Sequence, residues 1–153
     1  MGTSVIEQVK IQAQVLVPLV KALQAELGKE RANSLVRTTL GHIYRRYGEE
    51  FRQTKKQNNV GTIMASAWAT YARDAALDYR VIEQSQDAFD FDVVGCRYAE
   101  FFKELSEPEL GFLLVCELDF PIAEGIGPDI ELARTQTIMQ GASHCDFRYQ
   151  RRK

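Results

Sequence analysis

The sequence predicts one α+β domain, with a helical N-terminal half whose helices pack on a small antiparallel sheet of about four strands. Apolar residues recur every three to four positions in the first half and then alternate with polar residues from Leu77 onward. The predicted elements follow the order three helices, two strands, two helices, two strands, which is typical of helices on one face of an antiparallel sheet. The 153 residues contain no internal repeat, so residues 1–153 are expected to form a single domain.

Three helices are predicted for the first half of the chain. The first starts at a capping box formed by Ser4 and Glu7 and is expected to kink at Pro18. It ends before Gly28, which suits a left-handed cap. The second covers about residues 30–47, and Gly48 is a stop signal unless the pattern continues to Phe51. A polar connection separates it from the third helix, which covers about residues 60–76.

The second half contains the predicted strands and two shorter helices. The strands cover residues 77–82, 89–93, 130–138 and 144–150, and the helices cover about residues 97–105 and 106–116. Ser85-Gln86-Asp87 suits a hairpin loop between the first two strands. The Gly- and Pro-rich segment 125–128 is a break before the third strand.

Charge and cysteine usage limit the classes of partner. The formal net charge is -2, so no strong field attracts nucleic acid or an anionic membrane. The apolar run 15–20 is far shorter than the roughly 20 residues of a membrane helix, and Pro18 interrupts it. Three widely spaced cysteines, an odd number, indicate free thiols in a reducing cytoplasm. The oligomeric state stays open, with a homo-oligomer as one alternative.

Common catalytic motifs are absent, and the interest lies in scattered residues. Cys96 follows a strand and opens a helix, whose N-terminus stabilises a thiolate and lowers its pKa. The alternative is a small buried residue at a tight turn. Cys116 lies on an apolar helix face, where core packing competes with a catalytic role.

Asp119 and Arg134 are predicted to meet. Asp119 follows the predicted helix 106–116, at a helix end where the dipole does not favour a carboxylate, so it needs a cationic partner. Arg134 interrupts the apolar face of the third strand, and a buried guanidinium needs a carboxylate from the protein or from a ligand. A structural pair and a clamp for a substrate carboxylate are both consistent with this pattern.

A zinc site is a further alternative for the three cysteines and His144. His144 and Cys145 are adjacent in a predicted strand and therefore face opposite sides, unless a bulge intervenes. This placement argues against a site of three cysteines and one histidine. The main interpretation accordingly has no metal and no other cofactor.

Residues 95–147 carry a resemblance to a known family. The matching segments are Gly95-Cys96-Arg97-Tyr98-Ala99-Glu100, Cys116-Glu117-Leu118-Asp119, Arg134-Thr135-Gln136-Thr137 and Gly141 through Cys145-Asp146-Phe147. In order and spacing they resemble the L-2-amino-thiazoline-4-carboxylate hydrolase family. The ending Gly-x-x-x-Cys-Asp-Phe also resembles the small-ligand domain of 4-vinyl reductase proteins, which implies a non-catalytic binding module as the alternative.

The resemblance implies hydrolysis of a small anionic substrate, 2-aminothiazoline-4-carboxylate, to N-carbamoyl-cysteine. The implied catalytic candidates are Cys96, Cys116, Asp119 and Cys145, and the implied substrate-binding residues are Arg134, Arg97, Tyr98 and His144. Attack on the ring carbon C2 needs either a nucleophile or activated water, and the departing sulfur needs a proton. A cysteine thiolate or water activated by Asp119 could attack, while Arg134 holds the substrate carboxylate bidentately. We expect Cys96, Cys116, Asp119, Arg134 and Cys145 to converge on one pocket.

Overall fold

The computed structural model describes residues 2–153, which form six α-helices and one four-stranded sheet. The elements are α1 (Val5–Leu27), α2 (Lys29–Gln53), α3 (Val60–Tyr71), β1 (Leu77–Gln84), β2 (Ala88–Cys96), α4 (Arg97–Glu104), α5 (Pro108–Leu114), α6 (Asp119–Ile126), β3 (Ile130–Ala133) and β4 (Cys145–Arg151). Short 3-10 turns lie at Arg73–Ala75, Cys116–Leu118 and Ile138–Gln140. The predicted α+β class, with a helical first half, is confirmed.

The sheet has the strand order β1-β2-β4-β3, and every neighbouring pair is antiparallel, as the sequence predicts. Phe91 of β2 lies opposite Phe147 of β4, and their rings stack with centroids 5.0 Å apart. Trp68 of α3 packs edge-on against both rings. This aromatic contact anchors α3 on one face of the sheet, since aromatic pairs add to the energy of buried area.

The helix α6 is absent from the sequence prediction, and α2 is longer than predicted. Gly48 does not stop α2, which continues to Gln53. A Cβ atom at Gly48 would lie 2.3 Å from the carbonyl oxygen of Ile122, and one at Gly125 would lie 2.0 Å from that of Arg45. The two glycines therefore allow the backbones of α2 and α6 to touch, so they mark a helix contact rather than a helix end.

The predicted third and last strands are also corrected. β3 ends at Ala133 instead of residue 138, because the Asp146 carboxylate accepts hydrogen bonds from the backbone N–H groups of Thr135 and Gln136. These bonds, 2.8 and 3.0 Å long, replace the ladder bonds that a strand needs. β4 begins at Cys145, so His144 lies in the preceding turn. Likewise α3 stops at Tyr71, because Asp74 and Ala75 adopt positive φ angles.

Buried side chains form two clusters. The first joins α3, the sheet and α6, and includes Trp68, Phe91, Ile122 and Phe147. The second joins α1 to α4 and α5, and includes Ile6, Val20, Phe102 and Leu110. Leu77, Cys96 and Ile138 pack against both clusters and therefore lie at the boundary between them. None of the helices in residues 2–153 has the length and apolar character needed to cross a membrane.

Candidate active site

A small cavity of about 90 Å³ opens where the two buried clusters meet. Its lining includes Val5 and Val9 of α1, which pack against the second cluster, and Trp68 and Phe147, which belong to the first. Most of the lining is apolar, and Asp119 and Arg134 are its only charged side chains among the described residues. A cavity of this size suits a ligand built on a single small ring.

Six of the eight sequence-predicted site residues line this cavity. They are Cys96, Tyr98, Cys116, Asp119, Arg134 and Cys145. They come from five places: the junction of β2 with α4, the 3-10 turn after α5, the start of α6, the loop after β3 and the start of β4. The expected convergence of distant segments is therefore present in the structure, whereas the chemical role of each residue stays a prediction.

Arg97 and His144 do not line the cavity. Arg97 is exposed at the first residue of α4, and its Nη1 donates to the carbonyl oxygen of Asp74 at 3.0 Å. His144 precedes β4, and its ring contacts Gln136 and Ser143. The substrate-binding role predicted for these two residues is not supported by their placement, because their partners hold them outside the lining.

Arg134 is a buried cation with aromatic neighbours. Its side chain is only 3% exposed, and Nη1 donates to Asp119 Oδ2 at 2.7 Å and to the carbonyl oxygen of Cys116 at 3.0 Å. Three phenylalanine rings lie 5.0–5.9 Å from the guanidinium carbon; they are Phe112, Phe120 and Phe147. The rings and the carboxylate together stabilise a charge that would be costly to bury alone.

Asp119 is the first residue of α6, which corrects its predicted position beyond a helix C-terminus. In the first turn of a helix the macrodipole favours a carboxylate. Burial nevertheless raises the pKa of Asp119 from 3.8 to about 6, and the charge and hydrogen bond of Arg134 only partly oppose that rise. A carboxylate with this pKa is suited to accept a proton near neutral pH.

The ion pair leaves hydrogen-bonding capacity unused. Within residues 2–153, Asp119 Oδ1 and the Nε and Nη2 atoms of Arg134 have no hydrogen-bond partner. In the described residues, the fully buried polar side-chain atoms without a hydrogen-bond partner are Ser4 Oγ and Asp90 Oδ1. The three atoms of the ion pair are not among them, so they are not fully buried. The pair therefore presents an acceptor and two donor groups that remain accessible.

Burial favours the thiol over the thiolate at all three cysteines. Cys96 caps α4 through its sulfur, which accepts from the backbone N–H of Ala99 at 3.4 Å, yet burial raises the pKa of Cys96 to about 11. Burial also raises the pKa of Cys145 and raises that of Cys116 well above its ordinary value. Of the two interpretations of Cys96, the raised pKa favours the small buried residue at a tight turn over the thiolate, because desolvation outweighs the helix terminus.

The geometry does not assemble a metal site from these groups. Across residues 2–153, no set of three His, Cys, Asp or Glu side chains is placed to hold a metal ion. The zinc alternative therefore has no ligand set in the described part of the chain.

Several cavity residues carry no mark in the sequence beyond the repeating apolar pattern of a helix. Trp68 and Tyr71 lie one turn apart on α3, and both line the cavity. Trp68 Nε1 donates to the Tyr149 hydroxyl at 3.1 Å, and the Tyr98 hydroxyl donates to the carbonyl oxygen of Tyr71 at 2.9 Å. Their helical spacing is common to core and pocket residues, so the pattern alone did not separate the two.

Comparisons with known proteins complete the description of the site. The chain is similar to the crystal structure of the phenol-responsive sensory domain of the transcription activator PoxR with phenol, at 13% sequence identity and a TM-score of 0.55. The similarity covers 89% of this chain and 72% of that chain, and at this identity it shows a shared fold. No curated protein matches the chain. The family model of L-2-amino-thiazoline-4-carboxylic acid hydrolase matches residues 8–149, which include every cavity position discussed except Val5. The chain belongs to the L-2-amino-thiazoline-4-carboxylic acid hydrolase family.

Proposed function

We propose that this protein hydrolyses a small cyclic amidine that bears a carboxylate, with 2-aminothiazoline-4-carboxylate as the substrate and N-carbamoyl-cysteine as the product. The observation that carries the proposal is the Arg134–Asp119 ion pair in an otherwise uncharged cavity the size of one small ring. The family name supports the hydrolase class.

Arg134 binds the substrate carboxylate in this proposal. Its Nε and Nη2 atoms are the two N–H groups without a partner in the described chain, and together they form an edge of the planar guanidinium. Such an edge matches the two oxygens of a carboxylate. Cys116 keeps Nη1 in place through its carbonyl oxygen, so the guanidinium is oriented before the substrate arrives.

Asp119 acts as the base for water. The water oxygen bonds to C2 of the ring while Asp119 takes one proton, and the C2–S bond then breaks with its electron pair remaining on sulfur. The sulfur receives the proton held by Asp119. The added hydroxyl passes its proton to the ring nitrogen, which took the C=N electron pair on attack, or to solvent when the amidine enters already protonated, and the urea carbonyl forms. One water is consumed and one thiol is produced, so the reaction needs no oxidant or reductant.

Water is favoured over a cysteine nucleophile because the cavity keeps its cysteines neutral. The raised pKa of Cys96, Cys116 and Cys145 leaves little thiolate at neutral pH, and the thiolate is the reactive form. The cysteines instead supply weakly polar surface beside the ring. All three are free in the structure, which agrees with the reducing, cytoplasmic setting that we propose.

The reaction is tested by incubating the purified protein with 2-aminothiazoline-4-carboxylate and measuring both loss of the ring and appearance of a free thiol. We expect conversion by the natural sequence and near-complete loss of it in Asp119→Asn. Asp92→Asn is the matched control, since Asp92 pairs with Arg148 and does not line the cavity. The proposal is refuted if the natural sequence fails to open the ring at every pH between 6 and 9.

A second candidate is a non-catalytic domain that binds a small apolar molecule. The similarity to the phenol-responsive sensory domain of PoxR and the mostly apolar lining favour it. Saturable binding of phenol without chemical conversion of the thiazoline would support this candidate. Turnover of the thiazoline that phenol does not inhibit would contradict it.

A further inference from the structure

The charges of the cavity balance each other before any ligand binds. Arg134 and Asp119 are its two charged side chains in the described chain, and they form one ion pair with a 2.7 Å hydrogen bond. The remaining lining consists of apolar side chains, tyrosines, neutral thiols and Thr137. Only Arg134 and Asp119 can therefore compensate a charge on a ligand bound in this cavity.

A ligand with a single charge leaves the cavity unbalanced. A simple carboxylate on Arg134 competes with Asp119, so two negative charges then share one guanidinium in an apolar setting. A simple cation on Asp119 leaves Arg134 without its carboxylate, among three phenylalanine rings. Both outcomes carry the cost of a buried unpaired charge.

A ligand with both charges avoids this cost. Its carboxylate takes the unused N–H edge of Arg134, and its cationic group takes the unused Oδ1 of Asp119. Cys116 still holds Nη1 through its carbonyl oxygen, so the guanidinium does not need to turn. The ligand thus adds two charge-assisted contacts beside the existing ion pair, and the cavity stays neutral.

We propose that the Arg134–Asp119 ion pair binds a zwitterion, with the ligand carboxylate on the free N–H edge of Arg134 and a protonated amidine or guanidine on Oδ1 of Asp119. This inference rests on the proposed function for the position of the carboxylate. It adds that the substrate binds as the protonated amidine and that Asp119 selects for that charge. Protonation also withdraws electrons from C2 and favours attack by water at that carbon.

The test compares three stable compounds with similar five-membered rings that differ in which charges they carry. They are 2-aminoimidazoline-4-carboxylate, which carries both charges; 2-oxoimidazolidine-4-carboxylate, which has the same size and only the negative charge; and 2-aminoimidazoline, which has only the positive charge. A ring nitrogen is a poorer leaving group than sulfur, so these compounds resist hydrolysis and their dissociation constants can be measured by calorimetry with the natural sequence.

We expect the zwitterion to bind on the order of 100-fold more tightly than either singly charged compound, since each of those leaves one buried charge unanswered. In Asp119→Asn the order reverses for the first two compounds, because Arg134 then has no competing carboxylate and the added cation has no partner. Asp92→Asn retains the preference of the natural sequence, as its carboxylate lies outside the cavity.

Equal binding of the zwitterion and the oxo compound by the natural sequence overturns the inference, as does failure of all three to bind. Retention of the zwitterion preference in Asp119→Asn also overturns it. If that variant does not fold, the comparison on the natural sequence decides alone. The thiazoline assay on the same preparation reports on the proposed function separately, because ligand preference and ring opening are independent measurements.

Discussion

Two arginine–carboxylate ion pairs, whose acids are two residues apart in sequence, differ in solvent exposure and therefore in what they can do. Glu117 pairs with Arg37 of α2 through two hydrogen bonds, and the Arg37 side chain is 51% exposed. Asp119 pairs with Arg134 through one bond, and the Arg134 side chain is 3% exposed. The outer pair has the fuller geometry, yet solvent screens it and it contributes little. The inner pair has spare bonding capacity in an apolar cavity, and we place the chemistry there.

The sharpest test of this contrast removes each carboxylate in turn. Asp119→Asn should lower turnover of 2-aminothiazoline-4-carboxylate by about 10²–10⁴-fold, because a positioned base is lost while the shape is kept. Glu117→Gln should leave turnover within about twofold, since a screened surface pair is worth little. Steady-state kinetics on both variants measures the difference, and comparable losses in the two would remove the distinction between the pairs.

The same contrast extends to the two arginines. Arg134→Lys keeps the charge but loses the planar fork, so we expect the Michaelis constant to rise by about tenfold or more. Arg37→Lys should leave the Michaelis constant unchanged, because its partner Glu117 does not line the cavity. Unaltered kinetic constants in Arg134→Lys would show that Arg134 does not bind the substrate carboxylate.

The pH dependence separates the pairs without a mutation. The pKa of Asp119 is raised to about 6, and the base acts only when ionised. We therefore expect kcat/KM to be level above pH 6 and to fall about tenfold per pH unit below it, since kcat/KM reports the free enzyme. Glu117→Gln should retain this acid limb. An acid limb centred near pH 4 would mean that burial does not perturb Asp119.

The cysteines give a smaller expected effect. Cys96→Ser, Cys116→Ser and Cys145→Ser should each retain turnover within about tenfold, as expected for lining residues rather than the nucleophile. Kinetics on the three single variants, with circular dichroism to confirm folding, provides the measurement. Near-complete loss of turnover in one folded variant would replace Asp119-activated water with covalent catalysis at that cysteine.

The smallest expected effect is on the stability of the Glu117→Gln variant, and it depends on salt concentration. In Glu117→Gln the free energy of unfolding should fall by less than about 1 kcal/mol at low ionic strength, and the loss should vanish in about 1 M NaCl. Denaturant unfolding at two salt concentrations measures it. A loss that is unchanged by salt would show that the outer pair is not a screened surface contact after all.

The sequence was sufficient for much of the site because buried charge is conspicuous. Arg134 stood out on an apolar face, Asp119 was the acid predicted to meet it, and the structure joins them. The sequence left two interpretations of Cys96 open, since the helix start that lowers a thiol pKa is visible in the sequence whereas the burial that outweighs it is not. Arg97 belongs to a matching motif, but its outward direction depends on where α4 begins.

The fold was predicted least well where tertiary contacts decide. Gly125 lies in a segment that looks like a break, yet it sits inside α6 because α2 approaches at that point. Arg134 and Gln136 continue the alternation of β3, but Asp146 binds the backbone there and ends the strand. In both cases a contact with a distant segment overrides the local pattern.

The position of the cavity between two buried clusters has a consequence for hydrogen exchange. Val5 and Val9 in the first turns of α1 line the cavity, so this end of the helix is less fully packed than a helix over a filled core. Amides there should open through local fluctuations well before the strands β2 and β4 do, since local openings need less free energy than global unfolding. A bound ligand bridges the clusters and suppresses those openings. Slowed exchange of the amides in the first turns of α1 would then report that a ligand is bound, independently of any reaction.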